Sequence, residues 1–177
     1  MGLFRFSKKQ EPESSGKSHA GIEKSKKEEQ EFGPGQKDVM SCSSCGAFYY
    51  NKSWHKDLDS YKFLSENKDF KVTICAACKM IKDGRFEGQI IFENVLGDKK
   101  EEIINNIKNT GARAFDKDPM DRIITIKDDG AKLEVLTTEN QLARDIARQV
   151  EKAFKIADKD IKWSKEESIA RITVRFN

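Results

Sequence analysis

The sequence predicts an α+β protein: a disordered N-terminal tail, a four-cysteine zinc ribbon and a ferredoxin-like domain. Three observations predict it. The cysteines form two C-x-x-C pairs, apolar residues after Gly88 follow strand and helix periods, and residues 8–38 are almost without apolar side chains. A chain of 177 residues with 37% hydrophobic content suits two small folded units better than one large core.

The N-terminal residues 1–38 are predicted to form a disordered charged tail. Most of this segment is Lys, Glu, Ser, Gly and Gln, and it ends in the breaker Gly33-Pro34-Gly35. Such a composition buries too little apolar surface to offset the entropy of ordering. Its opposite charges nearly balance, which favours a generic polyampholyte over a nucleic-acid arm.

The charge of the whole chain identifies no partner. Its 33 Lys and Arg and 30 Asp and Glu leave a net charge of +3, so a basic site must be a local patch. No apolar run approaches the roughly 20 residues that cross a bilayer, and Phe6 stands where a myristoylation pattern has Ser or Thr. We expect a cytoplasmic protein without a membrane partner, whose thiols are free or metal-bound.

Residues 88–177 predict the order β-α-β-β-α-β, that of ferredoxin-like domains with two helices on one face of a four-stranded antiparallel sheet. Apolar spacing, capping patterns and turn residues define each element. In chain order they are a strand at QIIFENVL, a helix capped by Asp98 and Glu101 and running through Lys108, strands at DRIITIKDD and KLEVLTT, a helix capped by Thr138 and Gln141, and a strand at IARITVRF.

Two details sharpen this prediction. Asp128-Asp129-Gly130 predicts a tight hairpin, because glycine accepts the positive φ that such a turn requires. The second helix is predicted to carry one apolar face, formed by Leu142, Ile146, Val150, Ala153, Phe154 and Ala157. The following DKDIKWSKEE fits either a short strand or a loop.

Residues 39–87 carry the four cysteines, Cys42-x-x-Cys45 and Cys75-x-x-Cys78. A two-residue gap lets each pair bind one tetrahedral ion, and zinc is the natural occupant of four thiolates. Gly46 fits the tight backbone of a knuckle. Four thiolates fill the coordination sphere, so a single structural Zn²⁺ is predicted, one that folds the module and does no catalysis.

Other interpretations of this module stay open. A C-x-x-C pair also serves thioredoxin-like redox chemistry, although the sequence indicates no strand-CxxC-helix context, and cysteines are often plainly buried. His55 fits a surface or packing residue beside Trp54 better than a spare ligand. A short helix is predicted over 57–66, between the cysteine pairs.

Two groups of basic residues could hold phosphates. One lies beside the second cysteine pair, and the other recurs at spacings of four, four and three along the second helix. They are Lys79, Lys82 and Arg85 in the first group, and Arg144, Arg148, Lys152 and Lys155 in the second. The alternative is a solvated face, since Lys and Arg are common at exposed helix positions.

The remaining surface predicts neither base readout nor catalysis. The open sheet face is expected to show Lys132, Glu134 and Arg171 with Thr173 and Arg175, without the aromatics on which RNA-recognition motifs stack bases. There is no Ser-His-Asp set and no phosphate-binding glycine loop. We therefore expect a protein that is not an enzyme.

The stretches CSSCGAFYYNKSW, CAACKMIKDGRFEG and LEVLTTENQLARDIARQVEKAFK together resemble a known family. They are similar to the zinc-binding N-terminal region of the large-ribosomal-subunit export adaptor, the nonsense-mediated-decay protein three type, and to its small bacterial and archaeal relatives. The resemblance implies docking on the large ribosomal subunit or on RNA, with Cys42, Cys45, Cys75 and Cys78 as metal ligands. The further cysteine pairs and domains of the long adaptors are absent from this sequence, so export is not implied.

Three functional hypotheses follow; the third, which the sequence favours least, is an enzyme of unidentified type that would need a pocket with perturbed acids. The first is a non-enzymatic adaptor that binds ribosomal RNA, or the large subunit, through the two basic groups. The second is a zinc-stapled module for protein–protein interaction or regulation, whose mark would be an exposed apolar patch around Phe48, Tyr49, Tyr50 and Trp54.

Overall fold

A computed structural model of the protein describes residues 39–58, 61, 71–164 and 169–177. The tail predicted over 1–38, and most of the helix predicted over 57–66, lie outside the described residues. All described residues belong to one compact unit. No helix in this part of the chain combines the length and the apolar character needed to cross a membrane.

Residues 39–87, here called the metal module, contain a small mixed sheet in which the outer strand β4 pairs parallel with β1. Asn51 and Lys52 have φ of 50° and 66° and close the hairpin between the second and third strands. The elements are β1 (Met40–Cys42), β2 (Phe48–Tyr50), β3 (Ser53–His55), β4 (Lys71–Thr73) and helix α1 (Ala76–Lys82).

Residues 88–177, here called the α/β domain, form a five-stranded sheet with two helices on one face. Its elements are β5 (Gly88–Glu93), α2 (Lys100–Lys117), β6 (Ile123–Asp129), β7 (Lys132–Thr137), α3 (Asn140–Ala153), β8 (Ile156–Ser164) and β9 (Ile169–Phe176). The strand order is β6-β7-β5-β9-β8.

The core of the α/β domain lies between the helices and one face of the sheet. Alternate residues of β5, β7 and β9 are buried, and they pack against Leu142, Ile146 and Val150 of α3. The opposite face carries the polar residues expected there, and its Glu93 bridges Lys132 and Arg175. Gly130 has φ +66° in the predicted β6–β7 hairpin.

The prediction of a four-stranded, fully antiparallel sheet is wrong in two respects. A nine-residue strand, β8, stands where the sequence left a choice between strand and loop. Because β8 reverses the chain once more before β9, β9 runs parallel to β5. The order is therefore β-α-β-β-α-β-β.

The predicted helix boundaries also need correction. The N-cap residues are Lys99 and Glu139, and neither makes a side-chain capping hydrogen bond. Helix α3, the second of the two predicted helices, ends at Ala153, because Phe154 is extended (φ −129°, ψ 146°) and packs its ring on the core. Helix α2 continues to Lys117, beyond the predicted Lys108.

Candidate metal centre

The four cysteine sulfurs, from Cys42, Cys45, Cys75 and Cys78, all lie within 4.8 Å of one another. Three of these residues are buried and Cys45 is partly exposed. The parallel pairing of β1 with β4 sets Cys42 opposite Thr73, so residues far apart in sequence meet at one point. The cluster could hold a metal ion.

The first pair sits in a tight knuckle after β1. The Gly46 N–H donates to the Cys42 carbonyl at 2.9 Å, and the Cys42 N–H donates to the Ala47 carbonyl at 2.7 Å. Gly46 has φ +74°, a conformation that glycine adopts without strain. The prediction of a glycine-dependent first knuckle is confirmed.

The second pair sits differently from the ribbon prediction. Cys75 is the N-cap of α1, and its sulfur accepts a hydrogen bond from the Cys78 N–H at 3.4 Å. β4 precedes this helix, so the strand-CxxC-helix context that the sequence did not indicate is present. Two of the clustered cysteines therefore come from a β-knuckle and two from the first turn of a helix.

The sulfur spacing matches a shared ion better than a disulfide. The Cys45 and Cys75 sulfurs are 3.7 Å apart and all four cysteines are free. A disulfide bond is about 2.05 Å long. Metal–sulfur bonds of about 2.3 Å arranged tetrahedrally place neighbouring sulfurs about 3.8 Å apart. The observed separation is that of two corners of such a tetrahedron.

The pKa of Cys42 shifts in the opposite direction from those of Cys75 and Cys78. Burial opposes ionisation of Cys42, but backbone N–H groups of Cys75, Cys45 and Ser44 point at its sulfur and lower its pKa to about 6. Burial raises the pKa of Cys75 and of Cys78. Metals bind thiolates, so filling this site at neutral pH requires loss of the protons on the second pair.

Arg122, which sequence reasoning missed, contacts the cluster from the α/β domain. Its Nη1 donates to the Cys78 sulfur at 3.5 Å, and its Nε donates to the Pro119 carbonyl at 2.8 Å. Burial lowers the pKa of Arg122, but the hydrogen bond and negative charge of Cys45 outweigh it and raise the pKa overall. Four thiolates around a divalent ion carry excess negative charge, which a nearby guanidinium offsets.

The fold holds Arg122 in place through both its backbone and its side chain. The Arg122 N–H donates to Thr138 Oγ1 at 2.9 Å, and that hydroxyl donates to the Met120 carbonyl at 2.6 Å. The guanidinium lies 5.0 Å from the centroid of the Phe115 ring. Thr138, predicted as a helix cap, instead ties the end of β7 to the segment that reaches the cysteines.

A second contact joins the same regions. Lys56 of the metal module forms an ion pair with Asp116 at the end of α2, and its ammonium lies 5.1 Å from the Phe115 ring centroid. The Phe115 ring thus contacts one cation of the metal module, Lys56, and one of the α/β domain, Arg122. The metal module is thereby linked to the end of α2.

His55 is a packing residue, as the sequence favoured. Its ring stacks on Phe48 with centroids 5.2 Å apart, and its Nε2 lies 3.2 Å from the Tyr50 carbonyl oxygen. The Tyr61 hydroxyl contacts the other ring nitrogen at 3.2 Å. These contacts form a small aromatic cluster beside the cysteines.

The predicted basic residues are all exposed, and the two groups lie on separate elements. Lys79 and Lys82 lie on α1, and Arg85 follows that helix and pairs with Asp83. Arg144, Arg148 and Lys152 lie on α3. Lys155 does not, because the helix ends before it, and the prediction of a four-residue helical stripe is wrong at that position.

The apolar patch expected of a protein-interaction module is not where the sequence put it. Phe48 is buried, and Tyr49, Tyr50 and Trp54 are only partly exposed. The exposed large apolar side chains of the described metal module are Val72, Ile74 and Ile81.

Comparison with known proteins adds no identification: no family model, no curated protein and no solved structure matches this chain. The resemblance to the ribosomal export adaptor therefore stays a prediction, and functional inference depends on the geometry of the site.

Proposed function

We propose that this chain is a non-enzymatic zinc protein, in which one Zn²⁺ on Cys42, Cys45, Cys75 and Cys78 holds the metal module together. The observation that carries the proposal is the convergence of four sulfurs within 4.8 Å of one another. Four protein ligands complete a tetrahedral sphere and leave no position for a reacting water. The ion is then structural.

Zinc fits these donors for chemical reasons. Soft thiolates in tetrahedral arrangement select zinc or iron over magnesium, calcium and manganese. Backbone N–H groups that point at Cys42 and Cys75 would stabilise the thiolates, as would the guanidinium of Arg122. Iron is the competing occupant, and it absorbs visible light whereas zinc does not.

Elemental analysis of the purified protein tests the metal. We expect about one zinc per chain, no visible absorbance, and loss of the zinc in Cys75→Ser. Ser41→Ala, which leaves the thiols intact, is the matched control and is expected to keep the metal. Iron in place of zinc, or wild-type protein that carries no metal after purification under reducing conditions, would refute the proposal.

We further propose that the partner is RNA, with the large ribosomal subunit as the RNA-rich particle to test first. Lys79 and Lys82 support this, because they project from the helix whose first turn carries two of the metal ligands. A rigid, metal-anchored helix that presents lysines is suited to gripping a phosphate backbone. The basic residues of α3 add a second cationic surface.

Sedimentation of the zinc-loaded protein with separated ribosomal subunits tests this partner. We expect co-migration with the large subunit that weakens as salt rises, and that is reduced when Lys79, Lys82 and Arg85 are replaced together by Glu. Lys132→Glu, on the open sheet face, is the control for a change of charge alone. Protein that stays at the top of the gradient at all salt concentrations would favour the protein-interaction alternative.

A further inference from the structure

The outer strand β8 keeps an apolar row at the surface. Trp163 pairs with Ala170 and Ile161 pairs with Ile172, and both partners are buried on the helix side of the sheet. Trp163 and Ile161 therefore point to the same side, yet they are 50% and 40% exposed. Helix α3 packs mainly over β5, β7 and β9, so among the described elements it covers little of the flank above β8.

Cations border this flank. The guanidinium carbon of Arg144 lies 5.8 Å from the centroid of the Trp163 ring. Arg148 and Lys152 follow at intervals of four residues, which is about 6 Å along a helix. The row of three is here called the α3 cations.

The local carboxylates neutralise only part of this charge. Asp145 pairs with Arg148, and Glu151 pairs with Lys159 of β8. Within the described ranges, Arg144 and Lys152 form no ion pair. The flank therefore combines excess positive charge with an aromatic face.

We propose that this flank binds single-stranded RNA, with a base stacked on Trp163 and phosphates held by the α3 cations; the inference rests on the RNA association proposed above. Proteins that bind single strands combine a cationic groove with aromatic side chains on which bases stack. Duplex RNA hides its base faces inside the helix and cannot use Trp163. An acidic peptide would pair with the α3 cations but would supply no base to stack on Trp163.

The test uses the full zinc-loaded chain and a labelled single-stranded RNA of about 12 nucleotides, followed by fluorescence anisotropy at two salt concentrations. We expect Trp163→Ala to weaken binding by about 5- to 100-fold and Trp163→Phe to weaken it by about 3-fold or less, since phenylalanine keeps a stacking face. Arg144→Gln and Lys152→Gln together should weaken binding and flatten its salt dependence.

A second readout reports on stacking itself. RNA should quench the intrinsic tryptophan fluorescence of the wild type, and this quenching should disappear in Trp163→Phe while binding persists. Lys132→Gln, on the opposite face of the sheet, is the control and should bind as the wild type does. Thermal unfolding of each variant checks that the fold is intact.

The possible failures are distinguishable. If Trp163→Ala binds as the wild type does while the Lys79, Lys82 and Arg85 triple variant loses binding, the stacking site is wrong and the proposed function stands. Equal affinity for duplex and single-stranded RNA would also overturn the stacking site. If the wild-type protein binds no RNA, both proposals fail.

Discussion

The metal module and the α/β domain maintain their structures by different means. The strands of the metal module are three residues long, and its buried apolar residues form two small clusters, one of them built on the cysteines. The α/β domain has one continuous core drawn from both helices and from β5, β7 and β9. Four three-residue strands with a few buried side chains are marginal in water, whereas a sheet with a continuous core is not.

Each region is therefore vulnerable to a different change. The metal module is expected to depend on its ion, because it buries too little apolar surface to offset its entropy. The α/β domain is expected to depend on packing alone. Arg122 and Phe115 connect the two regions. A substitution at either residue therefore tests whether the stability of one region depends on the other.

Metal removal should give the largest effect, and that effect should be confined to the metal module. Structural zinc contributes about 10 kcal/mol or more in small zinc-dependent folds, so a chelator is expected to unfold the metal module. Hydrogen exchange followed by mass spectrometry should show lost protection in the described parts of 39–87 and retained protection in β5, β7, β9 and α3. Loss of protection throughout both regions would show that the α/β domain cannot stand without the ion.

Gly88→Ala should have the opposite pattern. An added Cβ would lie 2.2 Å from Thr137 Oγ1 and 2.5 Å from the Ala143 Cβ, so the start of β5 and helix α3 must separate. We expect a loss of about 2–3 kcal/mol in the free energy of unfolding, measured by denaturant, with zinc content unchanged. Gly97→Ala is the control, because nothing lies within 4 Å of its added Cβ.

Arg122→Met should affect both regions moderately. It removes the hydrogen bond to the Cys78 sulfur and leaves the thiolate charge without its nearby cation. We expect zinc affinity to fall by about 10-fold in competition with a chromophoric chelator, as for other contacts that support metal ligands. Arg113→Met, which replaces an exposed arginine of α2, should leave the affinity unchanged. Equal affinities for both variants would contradict the assigned role of Arg122.

Glu139→Gln should give the smallest effect, seen in the pH dependence of stability. Burial raises the pKa of Glu139 to about 7 from its usual 4.5, with the negative charges of Glu87, Asp121 and Asp118 adding to the shift. The folded state therefore binds a proton that the unfolded state releases between these two values, and stability falls as pH rises through this window.

Denaturant unfolding at pH 5 and pH 8 measures this contribution. Because Glu139 is partly exposed, we expect it to contribute only about 1–2 kcal/mol to the difference. Glu139→Gln should lose that part of the difference and be the more stable protein at pH 8. The exposed substitution Glu101→Gln should keep the wild-type pH dependence. A wild-type slope in Glu139→Gln would show that the carboxyl does not titrate in this window.

Patterns that act over a few residues predicted much of the fold. Alternation predicted β9 from Ile169 to Phe176 as observed, and the glycine at 130 predicted the β6–β7 hairpin. The residues that alternate with the predicted open-face positions are buried in the core: Leu133, Val135, Ile172 and Val174. These features depend on local backbone geometry and on which face of an element is apolar, and the chain encodes both directly.

Competition between elements was harder to predict. Phe154 and Ala157 were predicted on the helical apolar face, but α3 ends at Ala153, Phe154 is extended and packs on the core, and Ala157 lies in β8. Strand β8 is rich in charged residues and was not predicted unambiguously, because the outer strand of a sheet needs little apolar alternation. The parallel pairing of β9 with β5 followed from that one additional strand.

The cysteine quartet, the class of metal it suits and the apolar faces of most strands and helices can be predicted from residue spacing and residue type, because these features are local. Three features became visible only in three dimensions: Cys75 caps a helix, Arg122 contacts Cys78, and Trp163 stays exposed beside Arg144. Each of these depends on segments distant in the chain meeting in space. No local sequence pattern specifies these contacts, because they depend on how the sheets and helices pack against one another.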